Sequence, residues 1–305
     1  MTDYDVAIIG AGPAGLTAGI YCARYGLKTI IIEKGLIGGT ATWANSIQNY
    51  PGFEEITGME LMGKFKEQAQ KAGVEFELDS VEEVKETKSE KQIILQGKTI
   101  SSKALIVAVG AKSKWLKVKG EKEYLNKGVH FCATCDGPMY NGKEVAVIGS
   151  DNRAAEEAIY LATVTKKVYL ISSKKELTAD PTKLNSLKDK KVEILLGTNV
   201  TGFEGKQMLE TIIIKTSDGK ERKLSANAAF IYIGSEPNTE FVKVKKDETG
   251  RIIVNEAMET NVNGIFAAGD CIKKELNQIA TCIGEGATAA HAAAKYVQNK
   301  EVSSN

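Results

Sequence analysis

The stretch HFCATCDG, residues 130–137, holds the side chains of this chain that are best suited to redox chemistry. Cys132 and Cys135 are spaced as C-x-x-C, which lets the two sulfurs close a small disulfide ring, and Asp136 follows directly. In such motifs the pKa of a thiol is often depressed and thiol–disulfide exchange is fast. The spacing indicates an electron-carrying pair, although a metal site or a structural disulfide would use the same two residues.

Both alternatives are weakened by the rest of the chain. His130 could join Cys132 and Cys135 as a zinc ligand, but structural zinc needs four ligands, and the chain has no second C-x-x-C motif. We therefore expect no metal. A structural disulfide is unfavoured in a cytoplasmic protein. The opening MTDYDVAIIG carries two aspartates and a strand pattern, which is unlike a signal peptide, so we expect a cytoplasmic location.

The overall composition excludes several classes of function. The net charge of the 305 residues is +1, so no general affinity for nucleic acid or membranes is expected. No apolar run approaches the roughly 20 residues that a membrane-spanning helix needs. A chain of this length is long enough for two domains.

The first segment carries the complete pattern of a dinucleotide-binding βαβ unit. A strand is predicted in DYDVAIIG, a helix in AGPAGLTAGIYCARYG and a second strand in LKTIIIEK. Gly10, Gly12 and Gly15 form G-x-G-x-x-G at the strand-to-helix turn, and Glu33 ends the second strand. Such glycines permit a tight turn and close approach to a pyrophosphate, and the acidic residue can bind a ribose hydroxyl.

A second βαβ unit repeats this pattern with one important change. A strand is predicted in GKEVAVIG, a helix in SDNRAAEEAIYLATV and a further strand in KKVYLIS. The turn reads GSDNRA, so Asp151 stands where the second glycine of the motif belongs. Its carboxylate would repel a pyrophosphate and its Cβ would block close approach. The second turn is therefore predicted to suit a dinucleotide poorly.

The remaining pattern completes an α/β chain with two Rossmann-like, three-layer domains. A helix is predicted near 57–72, a polar hairpin region near 74–102, a strand in ALIVAVGA, a strand ending in Gly-Asp in GIFAAGDC, and a helix in GEGATAAHAAAKYVQ. Charged clusters mark the predicted boundaries. The first domain is discontinuous, comprising 1–113 and 243–305, and the second comprises 114–242.

Taken together, these motifs resemble those of the low-molecular-weight, flavin-dependent thioredoxin reductases over nearly the whole chain. The matching pieces are GAGPAG, NYPGF, ALIVAVGA, CATCDG, GSEPNT and GIFAAGDC, in the same order and at similar spacing. The resemblance implies FAD as cofactor, bound by the discontinuous domain, and a homodimer. The cofactor-binding positions that it implies are Gly10, Gly12, Gly15 and Glu33 for pyrophosphate and ribose, Gly269 and Asp270 for the phosphate–ribityl region, and Asn49, Gln278, Ile279 and Ala280 beside the flavin.

The resemblance also implies how the dithiol works. Cys135 would face the flavin and take up its electrons, and Cys132 would attack the disulfide of a thioredoxin-like protein. Asp136 would act as the general acid that protonates a thiolate. The other three cysteines, Cys22, Cys271 and Cys282, are expected to be unreactive.

The chain departs from NADPH-using relatives at both parts of the nucleotide site. Those relatives carry a glycine-rich second turn and an arginine cluster after the next strand, whereas this chain has GSDNRA and then SSKKELTADP. An NADPH 2′-phosphate favours arginine, and only Lys174 and Lys175 are present here. Some relatives that lack these features take electrons from reduced ferredoxin, so we expect a ferredoxin donor.

Other interpretations of the sequence remain open. One is an NADPH-dependent thioredoxin reductase with an atypical nucleotide site. Another class is a ferredoxin–NADP reductase-like flavoprotein, or a flavin redox sensor, without dithiol turnover. Because ferredoxins are usually acidic, a basic docking face would support the ferredoxin donor. The candidate lysines for such a face, which could equally be ordinary solvated side chains, are Lys166, Lys167, Lys174, Lys175, Lys188, Lys190 and Lys191.

Overall fold

The computed structural model describes residues 2–44, 46–87, 90–190 and 192–302. The chain forms two compact units, the first made of Met1–Lys112 with Glu236–Asn305 and the second of Ser113–Ser235. The first change of unit falls beside the predicted boundary at 113, and the second lies upstream of the predicted 243. At both changes the chain runs through a short strand, β7 (Ala111–Ser113) and β16 (Ser235–Pro237), and these two strands form a two-stranded sheet.

The first unit is built on a seven-stranded sheet in the order β3-β2-β1-β6-β5-β4, with the seventh strand, β17, paired to β6. Its strands are β1 (Tyr4–Ile9), β2 (Thr29–Glu33), β3 (Glu75–Leu78), β4 (Val81–Glu86), β5 (Lys91–Leu95), β6 (Thr99–Val107) and β17 (Ile265–Ala267). The predicted hairpin region near 74–102 is only partly correct, because β3 pairs in parallel with β2. Strands β4 and β5 form the hairpin.

Helices α1 (Pro13–Arg24), α2 (Gly58–Lys71) and α6 (Ile279–Val302) cover one face of this sheet. Val6 and Ile8 of β1 point into that helical core, whereas Ala7 and Ile9 point into the core on the opposite face. This alternation is expected of a buried parallel strand. Helix α6 begins earlier than predicted, and Gly286 lets it lie against α1, because a Cβ there would come within 2.3 Å of the Ala14 carbonyl oxygen.

The second unit repeats the parallel architecture. Its five-stranded sheet has the order β11-β10-β9-β15-β8 and is flanked by hydrophobic cores on both faces. The strands are β8 (Val129–His130), β9 (Glu144–Gly149), β10 (Lys167–Ile171), β11 (Glu193–Leu195) and β15 (Ala228–Tyr232). The helices are α3 (Ala133–Asp136), α4 (Asn152–Val164) and α5 (Pro181–Asp189), and a separate antiparallel sheet contains β12 (Asn199–Gly205), β13 (Leu209–Lys215) and β14 (Glu221–Ser225). No helix in the described parts of the chain is both long and apolar enough to cross a membrane.

Candidate redox and dinucleotide sites

The glycine turn of the first unit joins β1 to α1, and its three glycines have different structural roles. A Cβ at Gly10 would lie 2.3 Å from the Ala108 carbonyl oxygen, and one at Gly15 would lie 1.8 Å from the Gly10 carbonyl oxygen. Both positions therefore need glycine for the packing of the protein itself. Gly12 differs, because no described atom lies within 4 Å of a Cβ placed there and its φ of −76° suits any residue. The fold does not require glycine at this position, whereas a ligand approaching the backbone would.

Gly12 is also the N-cap of α1, and no described side chain caps this helix. The N-terminus of a helix favours an anion through its N–H groups and its dipole. Gly39 passes close by, since a Cβ there would lie 3.5 Å from the Gly12 Cα, and Gly269 lies beside the first turn, where its Cβ would be 3.0 Å from Ala14 Cβ. Gly12 and Gly269, which were predicted to bind the phosphates, therefore lie at one helix end, and Gly39, which was not predicted, lies beside Gly12.

Glu33 lies at the end of β2 and is fixed by two backbone amides. Its Oε2 accepts a hydrogen bond from the Ala11 N–H and its Oε1 accepts one from the Gly35 N–H, both at 2.8 Å. Beside it is a small cavity of about 50 Å³ that opens to solvent, with Gly10, Lys34, Asp79 and Phe241 in its lining. A carboxylate held at the rim of a cavity next to the glycine turn suits the nucleoside half of a dinucleotide.

The residues predicted to lie beside a flavin are partly brought together. The Asn49 side-chain amide donates a hydrogen bond to Gln278 Oε1 at 3.0 Å, although the two residues are far apart in sequence. Ile279 and Ala280 form the start of α6, directly after Gln278. This arrangement fixes the N-terminal end of α6 against the Asn49 loop.

A half-buried ion-pair network that the sequence did not reveal supports Gly269 and Asp270. Lys274 Nζ lies 3.2 Å from Asp270 Oδ1 and 2.9 Å from Glu285 Oε2, and its side chain is 10% exposed. Glu285 Oε2 in turn accepts a hydrogen bond from the Gly269 N–H at 2.8 Å. Burial lowers the pKa of Lys274, but the surrounding negative groups outweigh it and the pKa is raised. Lys274 lies in a loop and Glu285 in α6. Their separation in sequence matches no motif from which this ion pair could have been predicted.

The dithiol of the second unit is present as a disulfide, with 5.3 Å between the Cα atoms of Cys132 and Cys135. The Ala133 N–H between them donates a hydrogen bond to the Tyr232 hydroxyl at 2.7 Å. That hydroxyl is hydrogen-bonded to Glu157. Tyr232 thereby anchors the C-x-x-C segment to the end of β15, a contact that the sequence did not predict.

The charges behind this tyrosine come from α4. Burial raises the pKa of Glu157, and Arg153 and the Tyr232 hydroxyl oppose the shift only in part. The Arg153 guanidinium lies over the Tyr232 ring at 5.3 Å from its centroid. The region behind Ala133 therefore holds a half-buried carboxyl group whose neutral form is favoured.

Asp136 ends α3 and lies next to His130 of β8. The carboxylate Oδ2 is 3.2 Å from His130 Nδ1, and His130 Nε2 is 2.8 Å from the Tyr140 hydroxyl. The His130 ring stacks on Phe230 with 5.4 Å between centroids. Burial, with a smaller contribution from Asp136, raises the pKa of Tyr140 to about 12.

The second turn, between β9 and α4, carries its own anion at the helix N-terminus. Asp151 is the N-cap of α4, and its Oδ1 accepts a hydrogen bond from the Ala154 N–H at 3.0 Å. Gly149 has a structural role, because a Cβ there would lie 2.4 Å from the Tyr232 carbonyl oxygen. The end of α4 that would receive a pyrophosphate therefore already binds a carboxylate.

The segment after β10 is hydrogen-bonded to this turn. The Thr178 N–H donates to the Ser150 carbonyl oxygen at 2.7 Å. Asp180 and Asn152 exchange two hydrogen bonds, at 2.7 Å from the Asp180 N–H and 2.9 Å to the Asp180 carboxylate. The end of the SSKKELTADP segment is therefore fixed to the second turn by hydrogen bonds.

Two of the lysines proposed for a basic docking face form ion pairs with acidic residues. Lys166 lies 3.3 Å from Glu144, and Lys167 lies 2.7 Å from Glu193. Lys191 lies outside the described residues. The exposed members of the set are Lys166, Lys174, Lys175, Lys188 and Lys190.

Residues 4–286 match the family described as pyridine nucleotide-disulphide oxidoreductase, and the chain belongs to this family. Over 301 residues it is 38% identical to a thioredoxin reductase of Bacillus subtilis, which covers 97% of this chain and 95% of that relative. The crystal structure of a Streptococcus pyogenes thioredoxin reductase is 34% identical, with a TM-score of 0.92 and coverage of 97% of this chain and 98% of that one.

A ferredoxin-flavin thioredoxin reductase from Clostridium acetobutylicum is similar as well. It is 30% identical, with a TM-score of 0.56 and coverage of 99% of this chain and 100% of that one. The chain is a thioredoxin reductase-like disulfide oxidoreductase with a Cys132–Cys135 pair, and the predicted α/β Rossmann-like fold is confirmed.

Proposed function

We propose that this chain is a cytoplasmic, homodimeric, FAD-dependent reductase of thioredoxin whose electrons come from reduced ferredoxin. Electrons would pass from the donor to FAD, then to the Cys132–Cys135 disulfide, and finally to the disulfide of thioredoxin. Similarity to thioredoxin reductases over nearly the whole chain supports the disulfide reductase activity. The carboxylate cap of α4 carries the proposal about the donor.

The first unit fits FAD through the open space at Gly12. The residues that would hold the cofactor are Gly10, Gly12, Gly15, Glu33, Asn49, Gly269, Asp270, Gln278, Ile279 and Ala280. When bound, FAD exchanges electrons singly or in pairs, so it can connect a one-electron donor to a two-electron disulfide. Lys274 would hold the Asp270 carboxylate in a fixed orientation for this task.

In the second unit, Cys135 would receive the electrons and Cys132 would form the mixed disulfide with thioredoxin. Asp136 would deliver a proton to the sulfur that leaves. Replacing both cysteines with serine should abolish thioredoxin reduction and leave flavin reduction intact. Unchanged turnover would instead favour a ferredoxin–NADP reductase-like flavoprotein without a dithiol role.

Asp151 supports ferredoxin over NADPH for a simple electrostatic reason. A pyrophosphate at the α4 N-terminus would have to replace the Asp151 carboxylate at the Ala154 N–H and would meet its charge. The hydrogen bonds from Thr178 and Asp180 to the turn would also have to break. A protein donor needs none of these groups.

The donor is tested by following the flavin absorbance of the purified holoenzyme under anaerobic conditions. Reduced ferredoxin should bleach the flavin rapidly, and NADPH should not. Asp151→Gly removes the whole side chain, whereas Asp151→Asn keeps a capping oxygen and removes only the negative charge. Comparing the two variants therefore separates the effect of the side-chain volume on NADPH binding from the effect of its charge. Rapid bleaching of the unchanged protein by NADPH would show that the chain is an NADPH-dependent thioredoxin reductase with an atypical site.

A further inference from the structure

His130 is a buried imidazole that the proposed function does not use. It lies on β8, two residues before Cys132, and its side chain is 1% exposed, compared with 26% for Asp136. Among the described residues, His130 Nδ1 is the one buried side-chain nitrogen or oxygen without a hydrogen bond. Its neighbour Asp136 Oδ2, at 3.2 Å, is within ion-pair distance but outside hydrogen-bond alignment.

The aromatic residues around the ring hold it in this orientation. Phe230 stacks on one face with an interplanar angle of 25°, and Tyr140 contacts the ring edge-to-face with 5.4 Å between centroids. With Nε2 directed at the Tyr140 hydroxyl, Nδ1 is left facing Asp136. The ring cannot turn its nitrogens elsewhere without losing both contacts.

Among the charged groups on the elements packed around the His130 ring, Asp136 differs from the others in its distance to Nδ1. Tyr140 stays a phenol at neutral pH, because its pKa is raised to about 12. Lys143 lies over the Tyr140 ring at 5.7 Å from its centroid. The Arg153 and Glu157 pair of α4 lies at Tyr232. Asp136 is therefore the charged group within ion-pair distance of Nδ1 in the described part of the chain.

Reduction of the disulfide creates a demand for protons. Breaking the Cys132–Cys135 bond consumes two electrons, and the two sulfurs bind two protons when both become thiols. An aspartate with an ordinary pKa of about 3.9 holds almost no proton at neutral pH, whereas an imidazole, with an ordinary pKa of about 6.5, holds one part of the time. A proton donor at neutral pH is thus better supplied by an Asp–His pair than by the aspartate alone.

We propose that His130 supplies the proton that Asp136 delivers to the dithiol. In this step the Nδ1 proton of the imidazolium passes to Asp136 Oδ2, and the Asp136 carboxyl group gives a proton to the sulfur released from the broken disulfide. The electrons come from the reduced flavin of the proposed function, on which this inference rests. His130 reaches the sulfur only through Asp136, and Tyr140 keeps Nε2 engaged so that the mobile proton lies on Nδ1.

The coupling of His130 to Asp136 is tested first, by a readout that needs no turnover. The chain has two histidines, so His291→Asn leaves the imidazole of His130 as the sole histidine signal in an NMR titration. Adding Asp136→Asn should lower the midpoint of this titration, because a nearby negative charge favours imidazolium. An unchanged midpoint overturns the proposal whether or not the protein reduces thioredoxin.

The proton supply is tested by single-turnover thioredoxin reduction with dithionite-reduced holoenzyme between pH 6 and 9. We expect the rate to fall with rising pH as the imidazolium loses its proton. His130→Asn retains an amide donor for Asp136 but cannot titrate, and should slow the step at least about 10-fold near pH 6 and remove this pH dependence. His130→Phe should behave likewise.

His291→Asn is the matched control, because this histidine lies in the other unit and binds the Tyr25 hydroxyl. It should keep the unaltered pH profile. If His130→Asn also keeps that profile, the imidazole only fixes the orientation of Asp136 and the proton-supply proposal is wrong. If the unaltered chain reduces no thioredoxin at any pH, the proposed function fails instead, and the NMR coupling still decides whether the pair exists.

Discussion

Replacing Gly12 with alanine separates cofactor binding from folding more cleanly than any other change in the first turn. The backbone at Gly12 has φ −76° and ψ −173°, which alanine adopts without strain, and no described atom lies within 4 Å of the added Cβ. Alanine is a poorer N-cap than glycine, but it also restricts the unfolded chain. The two effects oppose each other, so Gly12→Ala should change the unfolding free energy of the apoprotein by roughly 0.5 kcal/mol or less.

The effect on FAD should be much larger. A methyl group forced into a packed contact typically costs about 1–3 kcal/mol, which corresponds to roughly a 5- to 150-fold rise in Kd. Gly15→Ala is the contrasting variant, since its Cβ would lie 1.8 Å from the Gly10 carbonyl oxygen. It should lower the stability of the apoprotein by roughly 3 kcal/mol.

The assay combines urea unfolding of the apoprotein with fluorescence titration of FAD. Gly63→Ala is the matched control, because Gly63 lies inside α2, and no described atom lies within 4 Å of its added Cβ. It should leave the Kd unchanged and raise stability by roughly 0.5–1 kcal/mol. If Gly12→Ala binds FAD as tightly as the unaltered protein, the open space at this turn does not receive the pyrophosphate.

Three further predictions concern buried charges and thiols. Thiol titration should detect no fast-reacting group in the oxidised native protein and two after reduction of the disulfide, because the three free cysteines are buried; early labelling of a third would contradict this. Lys274→Met should cost roughly 3 kcal/mol by leaving Asp270 and Glu285 without their cation. Because the pKa of Lys274 is raised in the folded state, its contribution to stability is complete below the ordinary lysine pKa of about 10.4 and is lost at higher pH. In urea unfolding, the difference in unfolding free energy between the unaltered protein and Lys274→Met should therefore shrink above about pH 10.4. Burial raises the pKa of Glu157, so the folded state favours its neutral form and loses that stability as the pH rises. Glu157→Gln should therefore gain stability relative to the unaltered protein between pH 4 and pH 8 in urea unfolding, and a relative loss over this interval would show that the ionised form is the favoured one.

Local patterns predicted the framework well. The glycine turn, the start of α2 and the C-x-x-C segment all depend on neighbours within a few residues. Helix α2 begins where a Thr57–Glu60 capping box forms. The parallel order of β1, α1 and β2 follows from the same kind of short-range information.

Contacts between distant residues were not predictable in this way. The hydrogen bond from Ala133 to Tyr232 joins residues 99 positions apart, and Glu285 reaches Gly269 from a different element. The sequence also treats Gly12 and Gly15 alike as motif glycines, whereas the packing of the chain against itself makes one structural and leaves the other open. Such differences arise only when the elements are assembled.

The carboxylate of Asp151 also determines how strongly a nucleotide phosphate is excluded from the second turn. A group tethered by a short length of chain acts at an effective concentration of about millimolar or higher. Asp151 is attached one residue before the first residue of α4. Its carboxylate therefore competes with a nucleotide phosphate for the N-terminus of α4 at a local concentration that does not depend on the protein concentration. A nucleotide present at micromolar levels would have to displace it at every encounter. Under the proposed function, this carboxylate acts together with the missing arginine cluster in selecting the electron donor, independently of any change in the disulfide or in the first unit.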